Sequence, residues 1–119
     1  MKFIPTKIHN SFIVKIEKNE DDRGFFARTY DVNEFEKHGL NSKIVQCNVN
    51  YTEKKGTVKG LHYQKSPFEE VKLIRCTRGS VFSIVVDLRP NSPTYKQSES
   101  IILSENEYCW RYIPELCAN

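Results

Sequence analysis

The chain has 119 residues, of which 28% are charged and 39% hydrophobic, and its formal net charge is +3 at pH 7. This length predicts a single globular domain over 1–119, because such a chain buries enough apolar surface to fold without disulfide bonds. Basic residues are interleaved with acidic ones, which argues against a nucleic-acid-binding protein. The longest apolar runs are too short to cross a bilayer, so no membrane partner is expected.

Four cysteines are present, and no two of them form a C-x-x-C pair. Cys47, Cys76 and Cys109 each lie in an apolar or alternating context, which favours buried free thiols over a disulfide framework. The amino terminus lacks the apolar core of a secretory signal peptide. We therefore expect a cytoplasmic protein.

The first third of the sequence contains two predicted strands and one predicted helix. Alternation predicts strands over Ser11–Glu17 and Phe25–Tyr30, with a polar loop at 18–22 between them. Asp31, followed three residues later by a glutamate, forms a capping-box pattern, and a glycine follows the last turn. We expect the one short helix over Val32–His38.

Beyond residue 41 the pattern predicts strands throughout. Ile44–Tyr51 alternates cleanly and places the amides of Gln46 and Asn48 on one face. On an ordinary sheet that face meets solvent, whereas in a barrel it lines a polar interior, and both interpretations stay open. Val58–Gln64 follows as a strand broken by Gly60.

The remaining strands are separated by glycine and proline turns. Val71–Thr77 and Ser80–Leu88 predict a β-hairpin, and Lys96–Leu103 and Tyr108–Ile113 predict two further strands. Many short strands at close spacing are typical of a sandwich or a barrel.

His62 is the residue around which a chemical function can be built, because an imidazole exchanges protons near neutral pH. From the residues alone it could be a proton-transfer group, a metal ligand or a structural core residue. A metal site is disfavoured, since the three histidines lie far apart and Gln64 shares the strand face of His62. Arg23, Lys59 and Lys72 lie at or near strand ends, where they suit an anionic ligand.

Three collinear groups of segments carry a resemblance to a known family. They are Asp22–Phe26; Gln46–Asn48 with Lys59–Gln64; and Lys72–Cys76 with Gly79, Val86–Arg89 and Ser92–Thr94, after which Leu103–Asn106 and Ile113–Glu115 continue the order. Together they resemble the dTDP-4-dehydrorhamnose 3,5-epimerase family of the cupin class. The resemblance implies an all-β cupin-type jelly roll, a double-stranded β-helix, with one short helix.

The resemblance also implies a reaction. The family's substrate is a dTDP-4-keto-6-deoxy sugar, in which hydrogens beside the ketone are acidic because the carbanion delocalises into an enolate. A base removes a proton at C3 and C5 from one face, and an acid returns it on the other. His62 corresponds to the base, and neither a metal nor an organic cofactor is implied. The implied binding residues for the sugar nucleotide are Arg23, Gln46, Asn48, Lys59, Lys72 and Asn119.

Departures from the family pattern occur at several of these positions. The family carries a glutamate at Arg28, an arginine at Lys59, an aspartate at Cys47, a glycine at Leu116 and an active-site histidine at Asn119. Lys59 keeps the charge of an arginine and loses its bidentate fork. A reversed charge at Arg28 affects the expected preference for substrate.

The family's catalytic tyrosine and the carboxylate that orients its histidine lie beyond the position matched by residue 119. The resemblance therefore implies a domain that is incomplete at its C-terminus and an epimerase with impaired turnover. Unpaired sheet edges would favour a homodimer, which is usual in the family. Two alternatives are a non-catalytic binder of sugar nucleotides or carbohydrates and a metal-dependent cupin.

Overall fold

Nine short strands and one helix make up the computed structural model, which describes residues 1–119. Seven strands belong to two antiparallel sheets, and the other two pair only with each other. In chain order the elements are β1 (Lys2–Pro5), β2 (Phe12–Lys15), β3 (Lys18–Asp21), β4 (Gly24–Ala27), α1 (Val32–Lys37), β5 (Lys72–Ile74), β6 (Ser80–Asp87), β7 (Ser98–Ser104), β8 (Cys109–Ile113) and β9 (Cys117–Ala118).

The two sheets pack face to face. One contains four strands in the order β1-β2-β8-β5, and the other contains three in the order β7-β6-β9. Strand β8 pairs with β2 and β5, both far earlier in the chain, so the four-stranded sheet depends on long-range contacts. This mostly β arrangement with one helix agrees with the predicted fold class.

The helix forms where its cap predicted it. The Asp31 carboxylate accepts hydrogen bonds from the backbone N–H groups of Asn33 and Glu34 at 3.0 and 3.3 Å, which satisfies two otherwise unpaired donors of the first turn. Phe35 is buried against the four-stranded sheet. With only six residues, this helix has neither the length nor the apolarity needed to span a membrane.

Strand β8 supplies both hydrophobic clusters because its side chains alternate between two faces. Trp110 and Tyr112 pack with Phe35 on the helix side of the sheet. Ile113 points the opposite way and packs with Val85 of the three-stranded sheet. We call that second side the inner face.

A fully buried guanidinium connects the two sheets across the inner face. Arg111 of β8 donates from Nη1 to the Ser83 carbonyl at 2.8 Å and from Nη2 to the Glu99 carboxylate at 3.3 Å. Burial lowers the pKa of Arg111, and its Nε has no partner. Nothing along the chain predicts this contact, since Arg111 lies within an otherwise apolar strand and its acidic partner is on β7.

Three local predictions were wrong. Neither Ile44–Tyr51 nor Val58–Gln64 forms a strand, because no neighbouring strand pairs with them, and Val49 is 97% exposed. An alternating pattern describes the side chains and does not show whether a partner strand is present, which a strand requires.

Cys47 belongs to the segment Ile44–Tyr51 and is exposed, although all four cysteines are unpaired as predicted. The expected loop at 18–22 is instead strand β3, paired with β4 in a solvent-exposed hairpin where no apolar pattern is needed.

The predicted hairpin of Val71–Thr77 with Ser80–Leu88 is also wrong. Strand β5 pairs with β8, whereas β6 pairs with β7 and β9. The turn before β6 therefore carries the chain from one sheet to the other. Leu73 of β5 packs toward the helix side with the first hydrophobic cluster, while Ile74 faces the other way and packs with the second cluster, which contains Val85 of β6.

A buried carboxylate stabilises the turn after β6. Asp87 accepts hydrogen bonds from the Arg89 guanidinium at 2.7 and 2.9 Å and from the hydroxyls of Ser92 and Thr94 at 2.5 and 2.6 Å. Burial by itself would raise the pKa of Asp87, but these hydrogen bonds to the ionised form outweigh it and hold the pKa well below its usual range. The ionised carboxylate therefore stabilises the folded state.

Replacing Asp87 should make the protein less stable at neutral pH and less sensitive to acid. Because the folded pKa is depressed, the carboxylate contributes above its ordinary pKa of 3.8, and the contribution is lost as pH falls below that value. We expect Asp87→Asn to lose about 3 kcal/mol of unfolding free energy at pH 7. Urea unfolding between pH 7 and pH 2 should give a flatter pH dependence than in the wild type.

The matched control is Asp21→Asn. Hydrogen bonds from Arg23 also lower the pKa of Asp21, but solvent screens this exposed pair, so the loss should be much smaller. Equal losses in the two variants would contradict the assigned role of Asp87.

Candidate active site

His62 lies in segment 43–71, which contains no strand, and backbone hydrogen bonds to Asn119 connect it to the rest of the chain. The His62 N–H donates to the Asn119 carbonyl at 2.9 Å, and the Asn119 N–H donates to the His62 carbonyl at 3.1 Å. Such an exchange of two bonds is the hydrogen-bonded pair of an antiparallel ladder. Asn119 directly follows β9, so His62 is anchored to the three-stranded sheet.

Gly60 bends the backbone next to His62. Its φ angle is +88°, and a Cβ atom at this position would lie 2.7 Å from the Asn119 carbonyl oxygen and 3.1 Å from Nδ1 of His62. An L-residue is therefore excluded both by backbone strain and by contact. The backbone therefore departs from a regular strand at Gly60, the position where the sequence predicted a break.

Lys72 reaches the same place from the four-stranded sheet. It lies on β5 opposite Ile113 of β8, and its side chain is largely buried. Its ammonium group donates to Oδ1 of Asn119 at 2.9 Å and lies 3.5 Å from the carboxylate of Glu70. Of the residues expected at the site, the structure thus brings His62, Lys72 and Asn119 together.

Three other expected residues lie along segment 43–71. Lys59 donates from Nζ to the Asn50 side chain at 2.7 Å. Gln46 and Asn48 are exposed on the same segment. Arg23, in contrast, lies at the turn of the β3–β4 hairpin, where its side chain is 89% exposed and bonded to Asp21. No contact joins Arg23 to His62, Lys72 or Asn119.

The positive charge of the chain is concentrated in the segment that carries His62. Residues 43–65 contain five lysines and one glutamate, a net charge of +4, whereas the entire chain carries +3. This cluster of lysines is visible in the sequence. It corrects the prediction that basic residues are interleaved with acidic ones along the chain. The lysines missed in this way are Lys43, Lys54, Lys55 and Lys65. Asn50 and Glu70, which contact the expected lysines, were missed as well.

No three His, Cys, Asp or Glu side chains converge in a group suited to a metal ion. The His62 ring is exposed, and its Nδ1 faces the backbone at Gly60. The ring geometry therefore leaves Nε2 on the opposite side. The site consists of an accessible imidazole, a nearby ammonium group and a lysine-rich segment.

Replacing Gly60 by alanine should separate His62 from Asn119, because the added methyl would overlap the Asn119 carbonyl. We expect the amide hydrogen of His62 to exchange with solvent at least about tenfold faster, as expected when a hydrogen bond worth about 1.4 kcal/mol is lost. Hydrogen exchange followed by NMR measures this rate directly.

Gly56→Ala is the control variant. Gly56 has a comparable φ of +80°, but a Cβ there would meet nothing within 4 Å. The variant carries the same backbone strain without the contact, so His62 exchange should stay at its wild-type rate. If both variants speed exchange equally, strain and not overlap is responsible.

Comparison with known proteins places these features in a family. The family model for dTDP-4-dehydrorhamnose 3,5-epimerase matches residues 5–119. The dTDP-4-dehydrorhamnose 3,5-epimerase of Sinorhizobium fredii is 36% identical over 114 residues, which cover 96% of this chain and 58% of that protein.

Solved structures agree with the sequence matches. The crystal structure of dTDP-4-dehydrorhamnose 3,5-epimerase from Elizabethkingia anophelis superposes with a TM-score of 0.95 at 34% identity, over 99% of this chain and 64% of that one. The dTDP-6-deoxy-D-glucose-3,5-epimerase of Legionella pneumophila, in complex with dTDP-4-keto-L-rhamnose, gives a TM-score of 0.86 at 33% identity, covering 98% and 62%.

These likenesses confirm the cupin-type jelly roll. The chain spans about three fifths of the length of the curated relatives it matches, from 58% to 64% in the five with the fullest coverage of this chain. The family match over residues 5–119 establishes that this chain belongs to the dTDP-4-dehydrorhamnose 3,5-epimerase family.

Proposed function

We propose that this chain carries the base and the nucleotide-binding segment of an epimerase acting at C3 and C5 of a dTDP-4-keto-6-deoxy sugar, in the cytoplasm. The observation that carries the proposal is the assembly of His62, Lys72 and Asn119 at one place, beside a segment with net charge +4. The Legionella relative was solved with a ligand of this class, dTDP-4-keto-L-rhamnose.

His62 is the proton acceptor in this proposal. Its ring is accessible, and Nε2 lies on the side away from Gly60, where a sugar carbon can approach. The proton removed lies on a carbon beside the C4 ketone, so the electron pair moves onto the ketone oxygen. A neutral imidazole becomes a cation as the substrate becomes an enolate, and the charges formed are opposite in sign.

Lys72 supports the same step electrostatically. An ammonium group beside the reacting sugar stabilises an enolate oxygen more than the neutral ketone from which it forms, so it acts on the transition state. Because Lys72 is fixed by Asn119 and Glu70, little reorganisation is needed when the negative charge develops.

Segment 43–65 suits the diphosphate of a sugar nucleotide. Its lysines supply point charges to an anionic ligand, and Lys59 is already ordered by Asn50. Gln46 and Asn48 lie on this segment, and we include them among the binding residues.

One observation favours the alternative of a non-catalytic sugar-nucleotide binder. The His62 ring accepts or donates no side-chain hydrogen bond, so no carboxylate within the chain orients it. An unoriented imidazole is a weaker base catalyst, although the lysine-rich segment would still bind dTDP.

Deuterium exchange distinguishes the two functions. In D2O, the wild-type protein should introduce deuterium at C3 or C5 of a dTDP-4-keto-6-deoxy sugar, as followed by NMR. His62→Asn should reduce the exchange rate at least about 100-fold, the contribution of one general base, while dTDP affinity changes less than about threefold. His9→Asn, at an exposed histidine near the amino terminus, serves as the control and should exchange like the wild type.

Each other result has a definite meaning. Binding of dTDP without any exchange would establish the binder and exclude the epimerase. Exchange that survives in His62→Asn would assign the base elsewhere, and a wild type that neither binds nor exchanges would refute both functions.

We also propose that the protein forms a homodimer through the β3–β4 hairpin. The hairpin pairs with no other strand, and Phe26 at its surface is 74% exposed. In this proposal Arg23 serves the nucleotide site of the partner copy, because within its own chain it bonds to Asp21 and contacts none of His62, Lys72 and Asn119. The hairpin of one protomer would then lie at the site of its partner.

A polar substitution at Phe26 should weaken this dimer. We expect Phe26→Ser to raise the dimer dissociation constant at least about tenfold, because a half-buried interface phenylalanine contributes about 1.5 kcal/mol or more. Sedimentation velocity over a concentration series measures the constant. Phe82→Ser, at an exposed phenylalanine on the outer face of β6, should leave it unchanged. A wild type that stays monomeric at all concentrations would exclude the dimer.

A further inference from the structure

Asn119 is the point at which the two charged groups of the site meet. Its backbone N–H and carbonyl exchange hydrogen bonds with His62, and its side-chain Oδ1 accepts from the Lys72 ammonium at 2.9 Å. No other residue hydrogen-bonds to both His62 and Lys72. The distance between the imidazole and the ammonium therefore depends on Asn119.

The donors and acceptors of Asn119 are nearly all occupied by these two residues. An ammonium group can only donate, so the amide of Asn119 must turn its Oδ1 toward Lys72. Both backbone groups belong to His62. Only Nδ2 is left to contact a ligand, and it can do so only as a donor.

Lys72 is held on a second side by Glu70. The carboxylate of Glu70 lies 3.5 Å from Nζ, and the Lys72 side chain is only 17% exposed. An ammonium group has three N–H donors, of which one is directed at Asn119, while Glu70 is an ion-pair partner at 3.5 Å. At least one donor therefore remains available to an oxygen of a bound substrate.

We propose that Asn119 is a positioning residue, which sets the spacing between the His62 imidazole and the Lys72 ammonium, and that its part in the reaction goes through these two groups. This inference rests on the proposed epimerase function. It revises the sequence-based expectation, in which Asn119 contacts the substrate. A displacement of about 1 Å at such a site lowers the rate of a reaction about 100-fold, so a tether of this kind affects rate more than affinity.

Two substitutions separate positioning from substrate contact. Asn119→Leu removes the acceptor for Lys72, whereas Asn119→Asp keeps an acceptor oxygen and removes the Nδ2 donor. We expect Asn119→Leu to lower the deuterium-exchange rate at saturating substrate about 10- to 100-fold, with less than a threefold change in dTDP affinity. Asn119→Asp should keep the saturating rate within about threefold of the wild type and raise KM, because its added charge repels the nucleotide.

The control is Asn106→Leu, in an exposed turn away from the site, and it should leave both rate and affinity unchanged. Loss of affinity at an unchanged saturating rate in Asn119→Leu would overturn the proposal and make Asn119 a substrate-binding residue. An equal loss of rate in Asn119→Leu and Asn119→Asp would also overturn it, since the acceptor would not matter.

A measurement without substrate tests the tether separately from the proposed function. A side-chain ammonium that is held and shielded gives an observable 15N–1H NMR signal, because its hydrogens exchange slowly with water. The Lys72 signal should be present in the wild type and in Asn119→Asp and lost in Asn119→Leu. If it persists in Asn119→Leu, the tether is refuted whatever the protein binds; if it behaves as expected but no exchange into sugar occurs, only the proposed function fails.

Discussion

The backbone pair between His62 and Asn119 is the interaction on which the site depends. Segment 43–71 contains no strand, so the imidazole has no sheet of its own to hold it. Its support passes through Asn119 to β9, whose two residues pair with Val86 and Asp87 of β6. The buried carboxylate of Asp87 orders the turn at that end of β6. The position of His62 therefore depends in part on Asp87, although Asp87 lies outside the site.

The inner face of the four-stranded sheet carries two cations with different roles. Lys72 lies opposite Ile113, and Arg111 lies two residues further along β8, a distance of about 7 Å along the strand. Arg111 is fully buried and its charge is neutralised by Glu99, so it connects the sheets. Lys72 keeps at least one ammonium hydrogen free at the edge of the site. Arg111 is therefore a structural cation, because it is buried and paired, whereas Lys72 remains available to a ligand.

Local features of the sequence predicted the parts of the fold that local interactions determine. The Asp31 cap fixed the start of the helix, and alternation located β2, β7 and β8. Alternation could not show that β5 pairs with β8 and not with β6, because the choice depends on contacts between residues far apart in the chain. The buried Arg111 was missed for the same reason, since its partner Glu99 is identified only once β7 and β8 are in place.

In the candidate site, too, local features could be predicted and long-range contacts could not. The break at Gly60 was predicted from the glycine itself, whereas the meeting of His62, Lys72 and Asn119 was expected only from family resemblance. Spacing along the chain cannot bring together residues carried by a loop, β5 and the end of β9. Glu70 was not anticipated at all, because its importance comes from its contact with Lys72.

The uneven distribution of charge has a kinetic consequence. Residues 43–65 carry a net charge of +4 and the remainder of the chain carries −1. The molecule therefore has an electric dipole whose positive end lies at this segment. Its field extends about 8 Å at physiological ionic strength and orients an approaching dianion before the surfaces touch. For the proposed nucleotide-sugar ligand, added salt would shorten that reach and slow encounter, while the lifetime of the complex, which depends on the proposed short-range contacts at His62 and Lys72, would change far less.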